Sequence, residues 1–396
     1  MRVASAAVTA ALVLATLCLG IWLGGHPGDL PPPLRDAFVD DTTTLTGEAA
    51  EAIEDNYFRS VQRPDLNDAS IAGMVAELRR RNRDRFSHYF DPEALIRFEE
   101  ATEGRFSGVG MSVREVPRGL RVAHVFKGAP AARAGLRAGD LVVSVYGHSI
   151  AGDDSKKTTT RIKGPPGTSV TLGVLRPSTG RRWQVKLVRE VVTVPVVERR
   201  LRRFEGLELG YVHLAGFTEG SHVSLRKAAR HMRRRGAEGI VLDLRGNGGG
   251  LLREAILTSS IFLPKDEVVV KTVSRNQGTT VYRALGDNLP PGPMVVLINR
   301  DTASAAEILA SALADNDLAK TVGTRSFGKG VFQQVFDLSN GGALDLTIGR
   351  YFTADGISLA PKGIEPEVHA EDRPGTERDE GLDRALEVLA GEIDAN

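Results

Sequence analysis

Cysteine is nearly missing from this chain of 396 residues, which contains only Cys18. One cysteine cannot form a disulfide within the chain, so the fold must be held together by its hydrophobic cores. The histidines are scattered, and no His-Glu-x-x-His pattern occurs. The sequence therefore offers no recognisable zinc site, and we expect neither a metal nor a cofactor.

An excess of either charge is also missing. Basic and acidic residues number 51 and 50, which gives a formal net charge of +1. This balance provides no global electrostatic case for nucleic acid or an anionic surface as a partner. The apolar fraction of 41% is sufficient for well-packed cores. A chain of this length is expected to fold as two or three domains.

Charged residues are absent from one long stretch, residues 3–25. About 23 residues in a helix span roughly 34 Å, which is enough to cross a bilayer. Arg2 precedes the stretch, so the start should stay in the cytoplasm and the remainder should be exported. Two interpretations stay open. A cleaved signal peptide would give a secreted protein, whereas an uncleaved anchor would give a single-pass protein of the cell membrane. The length, and the lack of an Ala-x-Ala site, favour the anchor.

The first half of the remaining chain divides into two regions. Residues 26–104 start with a stiff linker, three prolines at 31–33, and continue as a polar helical region. Residues 105–190 contain many short stretches of strand-like alternation and one short helix at 129–134. This pattern predicts a small, partly open barrel.

The second half predicts an α/β core. Residues 191–370 alternate strands and helices, and two strands at 239–244 and 294–299 are continuously apolar, as buried parallel strands are. Residues 371–396 are charged and predict only one short helix, at 382–390. The expected fold class is therefore mixed α/β and α+β, with a helical region, a small barrel and an α/β core.

Ser304 follows the apolar strand at 294–299 and a short turn, and it precedes an Ala-rich helix at 305–314. A strand–turn–helix corner exposes a side chain at a sheet edge and directs free backbone N–H groups toward whatever the serine attacks. Such donors can stabilise an oxyanion by roughly 2.7–4 kcal/mol each. The alternative is that Ser304 only caps the helix, although Asp301 or Thr302 could take that role.

Lys329 lies between two glycines, near the apolar residues Phe327, Val331 and Phe332. A lysine is a useful base at neutral pH only if its pKa falls well below about 10.4, and burial against apolar groups lowers it. Gln333 is four residues further on and shares the face of Lys329 in a helix or a strand. Its amide oxygen could orient the lysine nitrogen without adding a charge. The plain alternative is a surface lysine in a glycine loop.

A glycine-rich turn at 243–250 lies between the buried strand and the following helix. Successive N–H groups in such a turn form a site for an anion. One interpretation is a phosphate site, but the turn lacks both the G-x-G-x-x-G and the G-x-x-x-x-G-K-[ST] patterns. The other interpretation is the second half of an oxyanion hole.

Together, and in this order, these motifs resemble those of the carboxyl-terminal processing, or tail-specific, serine peptidases. The family patterns are Asp-Leu-Arg-Gly-Asn-x-Gly-Gly, Ala-Ser-Ala-x-Glu-Ile and Gly-x-x-x-Phe-Gly-Lys-Gly-x-x-Gln. The matching segments are residues 243–250, 303–308, 323–333, 361–368 and, more loosely, 85–92. The resemblance covers about residues 45–370 and implies a serine endopeptidase.

The resemblance also implies roles for individual residues. These are Ser304 as the nucleophile, Lys329 as the general base, Gln333 as the residue that positions Lys329, and the N–H groups of Gly249 and Ala305 as the oxyanion hole. One departure affects the oxyanion hole. The family often has proline where this chain has Gly248, and a glycine there loosens the turn.

The family places a PDZ domain before the catalytic core, and residues 105–190 resemble one. The implied carboxylate-binding loop is Gly108-Val109-Gly110-Met111. Its N–H groups would take the C-terminal carboxylate of a substrate while the peptide adds a strand. Lys163 lies where the family often has a basic residue. It either couples the PDZ domain to the core or is a solvated lysine in a turn.

These features predict an exported, membrane-anchored endopeptidase that binds the free C-termini of polypeptides and cleaves upstream of them. An alternative from another class is a catalytically silent, membrane-tethered PDZ scaffold, but a scaffold has no need of the three polar catalytic residues. A Ser-Lys esterase or amidase acting on small molecules would leave the PDZ-like segment unexplained. The N- and C-terminal helices are candidate contacts of a homo-oligomer.

Overall fold

The computed structural model describes residue 16 and residues 41–373, 375–376 and 378–395. Apart from residue 16, the apolar stretch at 3–25 lies outside the described residues, and so does its interpretation as an anchor or a signal peptide. None of the helices that the structure describes combines the length and the apolar character needed to span a bilayer.

The chain divides into two compact units. The first comprises the residues up to Asp91 together with 343–345. It contains helices α1 (Asp41–Asn56) and α2 (Arg63–Asn82) and strand β1 (His88–Phe90), which pairs antiparallel with residues 343–345. Helix α2 has a proline in its first turn and three arginines in its last, both of which suit those positions.

The second unit opens with helix α3 and a small sheet module. Its elements are α3 (Pro92–Glu103), β2 (Arg105–Gly108), β3 (Met111–Val116), β4 (Gly119–Val125), α4 (Pro130–Arg133), β5 (Leu141–Val145), β6 (His148–Ser149), α5 (Ser155–Ile162), β7 (Ser169–Arg176), β8 (Arg181–Val188) and β9 (Glu190–Thr193). The strand order is β3-β4-β5-β7-β8, with β6 on β5, while β2 pairs with β9. The predicted short strands are therefore present, in a sheet whose end strands are β3 and β8.

Helix α5 is an element of this module that sequence reasoning did not predict. It is short and contains three consecutive threonines, which have modest helix propensity. Its N-terminus is fixed by Asp154, whose side chain accepts the N–H of Lys157 at 2.9 Å. The helix also buries Thr158 and Ile162, so packing against the sheet holds it in place.

The remainder of the second unit is the α/β core. Its elements are β10 (Val197–Phe204), β11 (Leu207–Leu214), α6 (Ser221–Arg234), β12 (Gly239–Asp243), α7 (Leu252–Ser259), β13 (Val268–Ser274), β14 (Gly278–Arg283), β15 (Met294–Ile298), α8 (Ala305–Asp315), β16 (Lys320–Gly323), β17 (Val331–Asp337), β18 (Ala343–Phe352), β19 (Val368–His369) and α9 (Glu380–Asp394). The first three residues of β18 are the segment 343–345 that is assigned to the first unit.

The central sheet of this core has the order β10-β11-β12-β15-β16-β19 and is parallel from β11 onward. Every residue of β12 and β15 is buried because helices cover both faces of the sheet, as their continuous apolar runs predicted. The carboxyl ends of parallel strands meet at one edge, so the turns that follow β12 and β15 lie close together. These are the glycine turn and the corner with Ser304.

Candidate active site

Ser304 lies between β15 and α8, where the sequence predicted a strand–turn–helix corner. Its backbone has φ 57° and ψ −117°, a conformation that is strained for a residue with a side chain. An ordinary helix-capping residue adopts the relaxed β region instead. Backbone strain at a strand-to-helix turn accompanies nucleophilic serines, so the conformation favours a nucleophile over a plain cap.

Glu307, in the first turn of α8, is fully buried and joins the two predicted catalytic segments. Its Oε2 accepts the N–H of Ser304 at 2.8 Å and the N–H of Lys329 at 2.9 Å. Its Oε1 accepts the hydroxyl of Ser326 at 2.5 Å and the N–H of Gly328 at 2.7 Å. One carboxylate therefore holds the serine corner and the lysine loop side by side.

Sequence reasoning gave Glu307 no role of its own. The available signal was its position three residues after Ser304, the spacing of a capping box, in which a glutamate accepts the N–H of the capping residue. The contacts with the lysine loop join residues about twenty positions apart, so local sequence patterns cannot show them.

Lys329 lies two residues before β17, with Gly330 between them, and Gln333 lies within that strand. Residues four apart in an extended chain point to the same face. The Nε2 of Gln333 donates to Thr347 Oγ1 at 3.1 Å, which orients the carboxamide and leaves Oε1 outside that bond. Phe332, the preceding residue, packs on Tyr351, with ring centroids 5.1 Å apart. The bond with Thr347 therefore fixes the side chain of Gln333 in the strand that follows the lysine loop.

Gly249 packs directly against the serine corner. A Cβ at this position would lie 2.8 Å from the carbonyl oxygen of Ala303, 2.9 Å from Ser304 Cβ and 3.0 Å from the nitrogen of Ala305. With φ at +99°, the position requires glycine. Ala305 is the first residue of α8, and its N–H is one of those without an intrahelical acceptor. The structure thus brings both predicted oxyanion donors beside Ser304.

Asn247 fixes the glycine turn from within. The N–H of Gly249 donates to Asn247 Oδ1 at 2.9 Å, and Asn247 Nδ2 donates to the carbonyl of Leu214 at 2.8 Å. The backbone carbonyl of Asn247 accepts the N–H of Ala303 at 2.9 Å, while Gly249 accepts that of Phe217 at 2.9 Å. The N–H of Gly249, a predicted oxyanion donor, is therefore already hydrogen-bonded within the turn.

Glu254, near the start of α7, supplies the N-terminal cap of the neighbouring helix α6. It accepts the N–H of Gly220 at 3.0 Å, the Ser221 hydroxyl at 2.9 Å, and both the N–H and Nδ1 of His222 at 2.9 and 2.8 Å. Burial acts to raise the pKa of Glu254, but the hydrogen bonds from these residues hold it below its usual value. The cap fixes α6 to α7 just behind the glycine turn.

Arg245, in the same turn, ties the core to its C-terminal segment. It donates to Asp243 and Asp379 at 2.8 Å each and to Asp372 at 3.2 Å. Burial alone would lower the pKa of Arg245, but the carboxylates of Asp379 and Asp243 hold it above its usual value. The turn is therefore anchored on this side by ion pairs.

The predicted carboxylate-binding loop, residues 108–111, connects β2 to β3. The carbonyl of Val109 accepts the N–H of Ala131 at 2.8 Å, and that of Gly110 accepts the N–H of Phe126 at 3.0 Å. In a trans peptide the carbonyl and the following N–H point in opposite directions. The next N–H groups therefore point away from these partners, as a loop that binds a carboxylate requires.

Lys163 ends helix α5 and is paired with helix α3. Its Nζ donates to Glu100 Oε2 at 2.5 Å and lies 5.5 Å from the centre of the Phe106 ring. The Lys163 side chain is 38% exposed, so it is paired and partly solvated at once. The contacts link the sheet module to α3.

The sequence matches two family models. Residues 208–370 match the one described as Peptidase family S41, and residues 107–187 match the PDZ domain. The two matches fall on the α/β core and on the sheet module. Fold and site therefore define a peptidase core preceded by a PDZ domain.

Curated relatives refine this class. The chain is 32% identical to the carboxy-terminal processing protease CtpA of Bacillus subtilis, over 82% of this chain and 68% of that protein. It is 35% identical to the carboxy-terminal-processing protease of Bartonella bacilliformis, over 86% of this chain and 77% of that protein. The chain belongs to peptidase family S41, among the carboxy-terminal processing proteases, and the resemblance inferred from the sequence is confirmed.

A solved structure supports the same assignment. The photosystem II D1 C-terminal processing protease superposes with a TM-score of 0.51 at 27% identity. The superposition covers 88% of this chain and 98% of that protein. The mixed α/β fold with a PDZ domain is therefore shared, and the predicted fold class is confirmed.

Proposed function

We propose that the protein is a serine endopeptidase in which Ser304 is the nucleophile and Lys329 the general base. The observation that carries the proposal is Glu307, whose single oxygen Oε2 accepts the N–H groups of both residues. Ser304 Oγ attacks a peptide carbonyl and passes its proton to the Lys329 amine. That proton then goes to the departing amine, and water hydrolyses the acyl-enzyme. Gln333 positions the amine of Lys329 through its Oε1.

The N–H groups of Gly249 and Ala305 form the oxyanion hole in this proposal. Their position beside Ser304 supports the assignment. The carbonyl oxygen of the substrate becomes negative in the tetrahedral intermediate and is a stronger acceptor than the neutral carboxamide of Asn247. The developing charge therefore draws the Gly249 N–H from Asn247 to the substrate.

The PDZ domain selects the substrate by its free C-terminus. The loop at 108–111 provides N–H groups for the terminal carboxylate, and β3 is an end strand of its sheet, so a peptide can add beside it. The occupants are the tails of unstructured polypeptides, because a folded segment cannot enter as an added strand.

The catalytic part lies outside the cytoplasm, held to the cell membrane by residues 3–25 or released if they are cleaved. The uncharged length of this stretch supports export. Cell fractionation of the full chain tests the placement. Intact chains in the membrane fraction, digested by protease added from outside the cytoplasmic membrane, support the anchor. Shortened chains in the soluble exported fraction support cleavage, and recovery in the cytoplasm contradicts both.

A cleavage assay tests the chemistry. The full chain in detergent is incubated with an unstructured protein that ends in a free carboxylate or in an amide. We expect cleavage of the free-tailed protein by the parent and its loss in Ser304→Ala and Lys329→Ala. Ser311→Ala and Lys320→Ala are matched controls, since Ser311 lies on the same helix and Lys320 pairs with Glu392 on the core surface.

Each contrary outcome identifies a different error. An inert parent supports the silent PDZ scaffold. Cleavage that survives Lys329→Ala shows that another group is the base. Equal cleavage of the amidated protein contradicts recognition of the free C-terminus and leaves the Ser-Lys chemistry in place.

A further inference from the structure

A groove of about 660 Å³ lies between helix α3 and the PDZ domain. One wall is the sheet, with Val113 of β3 and Leu120 of β4, and a second is α5, with Thr159. The third wall is α3, which contributes Ile96 and Glu100. The match to the PDZ family begins at residue 107, so this third wall lies outside the PDZ domain. The volume is in the range of pockets that hold ligands.

Helix α3 presents an uncovered apolar side chain to this groove. The helix has no buried residue, and Ile96 is 57% exposed although it lines the groove. The charged side chains around it are paired with each other, Arg97 with Glu93 at 3.4 Å and Lys163 with Glu100 at 2.5 Å. Glu115 and Lys156 also line the groove, but most of its lining surface is apolar.

The free edge of β3 indicates which ligand fits. It is an end strand in the sheet order of the described chain, and α5 lies across the groove from it. An added strand would run along this edge, and its side chains would alternate in direction. Side chains that point away from the sheet would meet a third wall, which is α3.

We infer that α3 is part of the tail-binding site and that Ile96 is a specificity residue that contacts an apolar side chain near the end of the substrate. The inference rests on the proposed recognition of polypeptide tails by the PDZ domain. It extends that site to a helix outside the domain. Tails with a large apolar residue at the end bind more tightly than tails ending in alanine, because only the larger side chain reaches Ile96.

Fluorescence anisotropy with the full-length Ser304→Ala chain tests this inference, since tails bind but are not cut. The probes are labelled ten-residue peptides that end in leucine or alanine, each with a free carboxylate or an amide. We expect Ile96→Ser to weaken binding of the peptide that ends in leucine about 5- to 10-fold. This is the effect of losing contact with one or two methylene groups. The alanine tail should change little. Ile357→Ser is the matched control, since Ile357 is 64% exposed and lies outside this groove.

The outcomes separate this inference from the proposal beneath it. Suppose that the Ser304→Ala chain binds free tails more tightly than amidated ones, but that Ile96→Ser keeps the full preference for leucine over alanine. Helix α3 then does not contact the last side chain of the tail. If the Ser304→Ala chain binds no free tail, or binds free and amidated tails equally, recognition of C-termini itself is overturned. An unchanged urea midpoint of Ile96→Ser verifies that the exposed substitution leaves the fold intact.

Discussion

At the scale of single residues, Glu307 holds the two halves of the candidate site together by hydrogen bonds. Its two oxygens accept four donors from the serine corner and the lysine loop. A carboxylate only accepts hydrogen bonds, whereas a carboxamide presents two N–H donors on one side. At this position a carboxamide would face other donors and could not satisfy them.

Glu307→Gln should therefore separate the two segments. We expect a loss of stability of about 1–3 kcal/mol from the unsatisfied donors and a fall in kcat of about 100-fold from misplacement of the lysine loop. Urea unfolding and steady-state cleavage measure the two effects. The control is Glu367→Gln, because Glu367 accepts the N–H of Thr321 at 3.1 Å on another strand. Equal kcat values for the parent and Glu307→Gln would show that the loop is held by other contacts.

The glycine turn offers a neighbouring pair of substitutions. Gly249→Ala places a Cβ within 3.0 Å of the serine corner, whereas a Cβ at Gly248 has nothing within 4 Å. We expect Gly249→Ala to lower kcat at least 100-fold, the effect of losing one oxyanion donor, and Gly248→Ala to keep most of the activity. Similar losses in both variants would mean that the turn needs flexibility throughout and that its approach to Ser304 is not decisive.

The candidate residues were predictable because each is fixed in a local motif. Ser304 follows a buried strand and Lys329 lies between glycines. The link through Glu307 and the occupied N–H of Gly249 depend on chain segments far apart in sequence. Local sequence patterns do not contain such contacts. They therefore predicted the candidate residues but not the hydrogen bonds that connect them.

At the scale of elements, helix α6 follows a glycine, Gly220, which has no side chain to cap it, and takes its cap from another helix. Glu254 supplies four acceptor contacts to the residues that start α6. Because the pKa of Glu254 is lowered in the folded state, its ionised form stabilises the protein. This contribution is complete above the unfolded pKa of about 4.3 and is lost as the pH falls through the folded pKa.

Glu254→Gln should lower the free energy of unfolding by about 1–3 kcal/mol at pH 7, because the donors at the start of α6 lose their acceptor. The difference from the parent should shrink as the pH falls below about 4.3. Urea unfolding at pH 7, 5 and 3 measures it. Glu238→Gln is the control, since Glu238 makes one exposed contact, with the N–H of Glu208. A difference that stays constant down to pH 3 would contradict an ionised cap.

Sequence patterns predicted the helices and strands whose apolar residues follow one clear pattern. The buried strands β12 and β15 and the helix after Ser304 were found within one residue at their ends. Helix α5 and the hairpin of β13 and β14 were missed, because they are short or polar and depend on packing for their stability. Their discovery required the tertiary structure.

At the scale of the whole molecule, the C-terminal segment is part of the core. The sequence predicted a charged tail with a helix at 382–390, whereas α9 spans Glu380–Asp394 and covers one face of the central sheet. Leu386 and Leu389 of α9 pack with the strands in one buried cluster. Asp379, before the helix, is bound to Arg245 of the glycine turn. The helix therefore completes the fold that positions the site.

A short path of contacts connects the segment just before the PDZ domain to the candidate site. Arg105, at the start of β2, pairs with Glu219 at 2.8 Å, and the N–H of Glu219 donates to the carbonyl of Thr102. Two residues earlier, Phe217 donates its N–H to Gly249. The entry to the PDZ domain thus contacts the same segment that holds the glycine turn.

The proposed chemistry depends on Lys329 as the base that activates Ser304, with Gln333 beside it. The most direct test is the pH dependence of kcat/KM for the full chain and for Gln333→Glu, with Lys329→Ala as the blank. The acid limb reports the pKa of the essential base. A carboxylate beside the lysine favours its charged form, so the limb of Gln333→Glu should move to higher pH by about one unit or more. A limb that stays in place, or activity in Lys329→Ala, would show that Lys329 is not the base.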